Sequence, residues 1–140
     1  MAEGTADEFA LTALHGEFLH DVGMVAESMA AHRRALELAD GNIDRCKAWL
    51  GLAAGLRLSS DYNDALELLE QAEPIAVQHD LTLELARLYH LQGNLHFPLG
   101  NVNACKVAHE KALKFARQAG SAEAEARSLG GMGDAAYARG

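Results

Sequence analysis

An all-α fold of about seven helices, paired in antiparallel fashion, is what this sequence predicts, and three observations predict it. The 140 residues include 27 Ala and 21 Leu but only 10 Val, Ile and Thr together. Helix formers therefore dominate, and the β-branched residues that strands draw on are scarce. A Gly- or Ser-centred turn recurs along the chain at offsets of 37 and 40 residues. Small residues recur at fixed distances behind each turn, as close helix packing requires.

The elements follow in order. The first helix is predicted over about 7–21, where Thr5 and Glu8 match a capping box and Asp7 and Glu8 suit the positive end of the helix. Further helices are predicted over about 24–39, 43–58, 62–78, 81–98, 102–118 and 122–138. Asn42, Asp61, Asp80, Asn101 and Ser121 are expected to cap the later starts. Pro74 is expected to bend the fourth helix, and Pro98 to kink or end the fifth. In the last helix Gly130, Gly131 and Gly133 each cost about 1 kcal/mol relative to Ala. That helix is expected to survive by packing Leu129, Met132 and Ala136 inward, with its far face exposed and open to self-association.

Composition excludes several classes of function. With 12 Lys and Arg against 20 Asp and Glu, the net charge of −8 argues against a nucleic-acid surface, which needs a basic footprint. No apolar run reaches the ~18 residues of a membrane span, and the N-terminal residues lack the pattern of a secretory signal. Cys46 and Cys105 lie 59 residues apart without a C-x-x-C spacing, so two reduced, buried thiols in a cytoplasmic protein are expected. The length fits one domain over 1–140.

The internal repeat carries the most information. Val22-Gly23-Met24-Val25-Ala26-Glu27-Ser28, Ser59-Ser60-Asp61-Tyr62-Asn63-Asp64-Ala65 and Leu99-Gly100-Asn101-Val102-Asn103-Ala104-Cys105 align on their turns. Seven residues on, each segment carries Ala35, Ala72 or Ala112, and four further on Ala39, Ala76 or Ala116. Upstream of the turns, Trp49, Leu52, Ala53 and Leu56 correspond to Tyr89, Gln92, Gly93 and His96. Thr12, His15, Gly16 and Leu19 open the series, and Leu129, Met132, Gly133 and Ala136 continue it. The units run over about 7–41, 42–79, 80–119 and, as a half unit, 120–140.

On these residues the chain resembles the tetratricopeptide repeat family over nearly its whole length, in a long-period form similar to cell-polarity adaptors that bind extended peptides. Residues 93–140 also resemble repeat regions of large bacterial regulators of the nucleotide-cyclase and ATPase type. The resemblance implies a right-handed superhelical solenoid whose first helices line a concave groove. It assigns the ligand-facing positions to Ala10, Ala13, Glu17 and His20; to Lys47, Leu50, Ala54 and Arg57; to Arg87, His90, Asn94 and Phe97; and to Arg127, Gly130, Asp134 and Tyr137. His15, His32, Gln92, His96 and His109 stand where the family carries large apolar residues, so looser packing is expected there.

Lys47, Arg87 and Arg127 recur at one repeat position, 40 residues apart. Regular stacking would make them a basic ladder for an acidic peptide or protein segment, with Asn94 bonding its backbone; Phe97-Pro98 is either a tolerated irregularity or a local widening of the groove. The alternative is that the three cations form ion pairs within the array, with Glu or Asp of neighbouring helices. The family's carboxylate clamp for chaperone tails is absent, because Ala13 and Glu17 occupy its Lys and Asn positions. No cofactor or metal is expected. His15 and His20, or His90 and His96, have poor ligand spacing, and Cys105 and His109 fall on the core side of their helix. No enzyme motif is present: there is no phosphate loop, no G-x-S-x-G and no H-E-x-x-H. Glu67, Glu70 and Glu73 read as a solvated face. The sequence thus predicts a non-catalytic protein-binding module or, alternatively, a regulatory or oligomerisation segment of a larger bacterial signalling protein.

Overall fold

The computed structural model describes the backbone of residues 2–139 and the side-chain environments of residues 7–133. The fold is all-α. Its helices are α1 (Ala2–Asp21), α2 (Val25–Leu38), α3 (Asn42–Leu58), α4 (Tyr62–Gln78), α5 (Thr82–His96), α6 (Val102–Ala119) and α7 (Ala122–Arg139). Among the described residues there is no strand, and no helix is long and apolar enough to cross a membrane.

One backbone device makes five of the six connections. A single residue adopts left-handed geometry: Gly23 (φ 84°), Ser60 (64°), Asp80 (53°), Gly100 (80°) or Gly120 (69°). Its N–H donates to the carbonyl three positions back, and the next N–H donates to the carbonyl five back. Gly23 reaches His20 and Met24 reaches Leu19; Gly100 reaches Phe97 and Asn101 reaches His96. The residue after the left-handed one then accepts the first bond of the next helix, as in Ser28 N–H to Met24 C=O and Cys105 N–H to Asn101 C=O. Each junction satisfies the loose carbonyls of one helix while starting another, so a one-residue turn suffices. Gly23, Ser60 and Gly100 are the turn centres expected from the repeat. The sixth connection, between α2 and α3, passes through Gly41 at φ 100°.

This geometry corrects two of the five expected caps, Asn42 and Asp80, while Asp61, Asn101 and Ser121 stand at the positions expected of them. Asn42 is already helical and follows Gly41 at the N-cap, its side chain accepting from Arg45 instead. Asp80 is the left-handed residue, and Leu81 stands at the N-cap of α5. Asn101 occupies the N-cap of α6 but makes no side-chain capping bond. The Asp61 carboxylate accepts the Ser59 hydroxyl. Ser121 adds a side-chain capping bond, its Oγ accepting from the Ala124 N–H at 3.1 Å. The first helix begins at Ala2 and runs through Thr5, whose side chain lies outside the described environments. The fifth ends at His96, two residues short of Pro98.

The chain falls into two compact units, Met1–Ile75 and Ala76–Gly140. In the first, α2 packs against both α1 and α3, burying Phe9, Ala35 and Ala48 with Ala13, Leu36 and Leu38 against them. The Cys46 thiol of α3 points at the Ala72 carbonyl of α4, and both residues are fully buried. In the second, α6 packs against α5 and α7. Leu85, Leu88, Leu95, Ala108, Ala112 and Ala116 are buried there, and Tyr89 stacks on Phe115 with ring centroids 5.6 Å apart. The small positions of the repeat — Gly16, Ala53, Gly93, Ser28, Ala65, Cys105, Ala35, Ala72 and Ala112 — are all buried, as close helix approach demands. Gly133, expected to belong with them, is exposed.

Two imidazoles make the seams tightest where looseness was expected. His32 and His109 are 2% and 1% exposed. A Cβ added to Gly16 of α1 would lie 2.8 Å from His32 Nε2, and one on Gly51 of α3 would collide with the same ring. His109 is held in the same way between Gly93 of α5 and Gly131 of α7. Missing side chains on the flanking helices admit the ring, so a polar residue at this position accompanies closer packing. His15 is exposed, and Gln92 and His96 are half-buried. In α7 the expected register also shifts: Ser128 and Gly131 are buried, Met132 is half-buried and Leu129 is 48% exposed. Ala136 lies outside the described environments.

Candidate functional site

The expected binding residues divide between the two units. In the first, Lys47 is exposed on α3 and Arg57 is half-buried in its last turn, where its charge meets the negative helix end. Leu50 and Ala54, assigned to the groove by the family resemblance, are 0% and 6% exposed; they belong to the core and present nothing to a ligand. Of the first-helix positions, Ala10 and Glu17 are exposed, and Ala13 and His20 are half-buried.

The second unit brings more of the set together. Spacings of three, four and three residues put Arg87, His90, Asn94 and Phe97 along one face of α5 and its C-terminal extension. The first three are half-buried and Phe97 is exposed. Asn94 Nδ2 lies 3.1 Å from His90 Nε2, and the His90 ring meets His109 edge-on with centroids 5.3 Å apart. This contact joins the polar stripe to the glycine-clamped core imidazole. Within the stripe, His90 and Asn94 are thereby held by side-chain neighbours. Asn94 Oδ1 and the Arg87 guanidinium supply an acceptor and donors for a peptide backbone or a carboxylate.

Arg127 sits on α7, which packs against α5, and pairs with Glu123 one turn earlier. This pair lies within one helix, whereas the expected alternative placed the acidic partner on a neighbouring helix. The pair is exposed, so it is weak and exchangeable. Asp134 and Tyr137 lie outside the described environments.

Sequence reasoning missed a second feature of this unit. Between α5 and α6 an open cleft of about 340 Å³ is lined by Gln92, His96, Asn103, Val107 and Lys111. Gln92 and His96 lie on the side of α5 opposite Arg87 and Asn94. Its only trace in the sequence is the exposed Val107 on an otherwise polar helix face, which is too weak a signal to single out.

Among the described residues no group of three or more His, Cys, Asp and Glu has the geometry of a metal site. Cys46 and Cys105 are free, buried thiols. Comparison with protein-family models and with curated proteins finds no match for this chain.

Proposed function

We propose that this chain is a non-catalytic protein-interaction module of tetratricopeptide-repeat type, a right-handed stack of helix pairs whose first helices bind an extended, acidic peptide or protein segment. The observation that carries the reading is the stripe Arg87, His90, Asn94 and Phe97 on α5: a polar, aromatic-tipped surface, half-buried over its first three residues, in which His90 is in contact with Asn94 and His109. Prearranged donors of this kind reduce the ordering cost of binding an extended chain. The recurrence of one turn geometry at Gly23, Ser60 and Gly100 supports the repeat assignment. So does the appearance of the same Gly–His–Gly clamp in both units. In this reading Lys47, Arg87 and Arg127 supply positive charge, with Arg127 exchanging Glu123 for a ligand carboxylate, and the protein works in the cytoplasm without cofactor, nucleic acid or membrane.

The test is an array of extended Asp- and Glu-rich peptides probed with the wild type and with Lys47→Ala/Arg87→Ala/Arg127→Ala. Selective capture that is lost in the triple variant, with far-UV CD unchanged, is the expected result. Equal capture by the two proteins refutes the basic ladder. A second reading, a regulatory or oligomerisation segment of a larger signalling protein, is favoured by the exposure of Leu129 on α7. It predicts concentration-dependent self-association that Leu129→Lys removes, measured by sedimentation equilibrium.

A further inference from the structure

Helix α1 is apolar on two faces, and only one of them is covered. Phe9, Gly16 and Leu19 are buried in the first unit. Leu11, Leu14, Phe18 and Val22 follow one another at three- and four-residue spacing, so they form a second stripe, and they are 68%, 66%, 60% and 53% exposed. The Val22 N–H still donates to the Phe18 carbonyl, so the stripe continues to the last bond of the helix. Single exposed apolar side chains are ordinary, but a contiguous row of four large ones marks an interaction surface.

The charges around the stripe select what covers it. Asp7 and Glu8 stand one turn before Leu11, Glu17 one turn after Leu14 and Asp21 one turn after Phe18; all four are exposed. From Asp7 to Asp21 there is no Lys or Arg. A second copy is a poor occupant. Pairing two such stripes, parallel or antiparallel, brings two sets of four carboxylates to one seam with no Lys or Arg between Asp7 and Asp21 to offset them. An anionic lipid surface is repelled for the same reason. A helix with an apolar seam and Lys or Arg on its flanks matches both features: its seam covers the four side chains and its cations meet the four carboxylates.

We infer that the outer face of α1, centred on Leu14 and Phe18, is a docking surface for a basic amphipathic helix of a partner protein. It shares no residue with the proposed peptide-binding stripe on α5, so either assignment can fail without the other.

The experiment titrates the full chain into two fluorescent three-heptad helices that share a Leu/Ile seam and differ only in having Lys or Glu on both flanks. The Lys-flanked helix is expected to bind saturably, at least about tenfold tighter than its Glu twin, with the difference shrinking at high salt. Leu14→Glu/Phe18→Glu should abolish binding, and Asp7→Lys/Glu8→Lys/Asp21→Lys should invert the preference between the twins. Because these carboxylates are exposed, the charge-inverted variant keeps the test decisive if the apolar variant fails to fold. Equal affinity for both twins, or a preference unchanged by charge inversion, overturns the proposal. So does a dimer of the chain that Leu14→Glu/Phe18→Glu dissociates, because the occupant would then be a second copy.

Discussion

Three glycines within four residues of α7 are expected to respond to the same substitution with opposite signs. Gly130 and Gly133 face open space, with no heavy atom within 4 Å of an added Cβ. Alanine there removes the backbone-entropy cost of glycine and should stabilise the protein by about 0.5–1 kcal/mol at each site. Gly131 differs. A Cβ at this position comes within 2.5 Å of His109 Nδ1 and Nε2. The ring has nowhere to retreat, because it is 1% exposed and a Cβ on Gly93 at its other face would lie 2.6 Å from Cδ2. One surplus methyl in a closed seam costs about 1–3 kcal/mol. Subtracting the propensity gain of about 1 kcal/mol leaves Gly131→Ala destabilised by about 1 kcal/mol. The gap between Gly131→Ala and Gly130→Ala should therefore be about 1.5–2 kcal/mol. Urea denaturation followed by far-UV CD measures it as a shift in midpoint at constant slope. A double-mutant cycle of Gly131→Ala with His109→Ala should show coupling of at least about 1 kcal/mol, since removing the ring relieves the collision. If Gly131→Ala stabilises as much as Gly130→Ala, His109 is not clamped between α5 and α7, and the account of this seam is wrong.

Further expectations concern turns and thiols. Ser121→Ala removes the Oγ bond to the Ala124 N–H and should lower stability by about 1 kcal/mol, while Asn101→Ala, which deletes no capping bond, should have a smaller effect; thermal melts of the two variants decide this. Ser60→Gly relieves a left-handed non-glycine residue at φ 64° and should raise stability by about 0.5–1 kcal/mol in the same assay. Cys46 and Cys105 are 0% and 1% exposed, so a thiol reagent should label neither at native pH until denaturant is added. Rapid labelling of the native protein would contradict their burial.

Particular residues show how far the sequence was legible. The turns at Gly23, Ser60 and Gly100 were readable because left-handed geometry is a local demand, met within a few consecutive residues. Asp80 was misread as a cap for a related reason. In a one-residue turn the residue after the left-handed position becomes the N-cap through its carbonyl alone, so Met24 and Leu81 serve as well as Asn101 does. His32 and His109 misled in another way. A polar residue on an apolar face suggests loose packing only if its neighbours are ordinary, and here both neighbours lack a Cβ. Gly16 and Gly51 lie 16 and 19 residues from His32, so no local pattern announces that the three meet. In the candidate site, the positions carried over from the family resemblance, Arg87, His90, Asn94 and Phe97, do share one face of α5. The same carry-over assigned Leu50 and Ala54 to a surface when they are core, because a helix face becomes interior or exterior only once its neighbours are present.

By itself, then, the sequence determined that the chain is helical, about where each helix breaks, and most of the small residues that permit close approach. These follow from propensity, from left-handed turns and from the size of side chains, all properties of short stretches. Only the tertiary structure decided which apolar rows are covered. Leu129 stands at the repeat position of Trp49 and Tyr89, yet it is exposed where Tyr89 is 7% exposed. Leu11, Leu14 and Phe18 are as apolar as Phe9 and Leu19, yet only the latter pair is buried. Burial is a relation between helices, so identical local patterns end as core beside a neighbouring helix and as binding surface where none is packed.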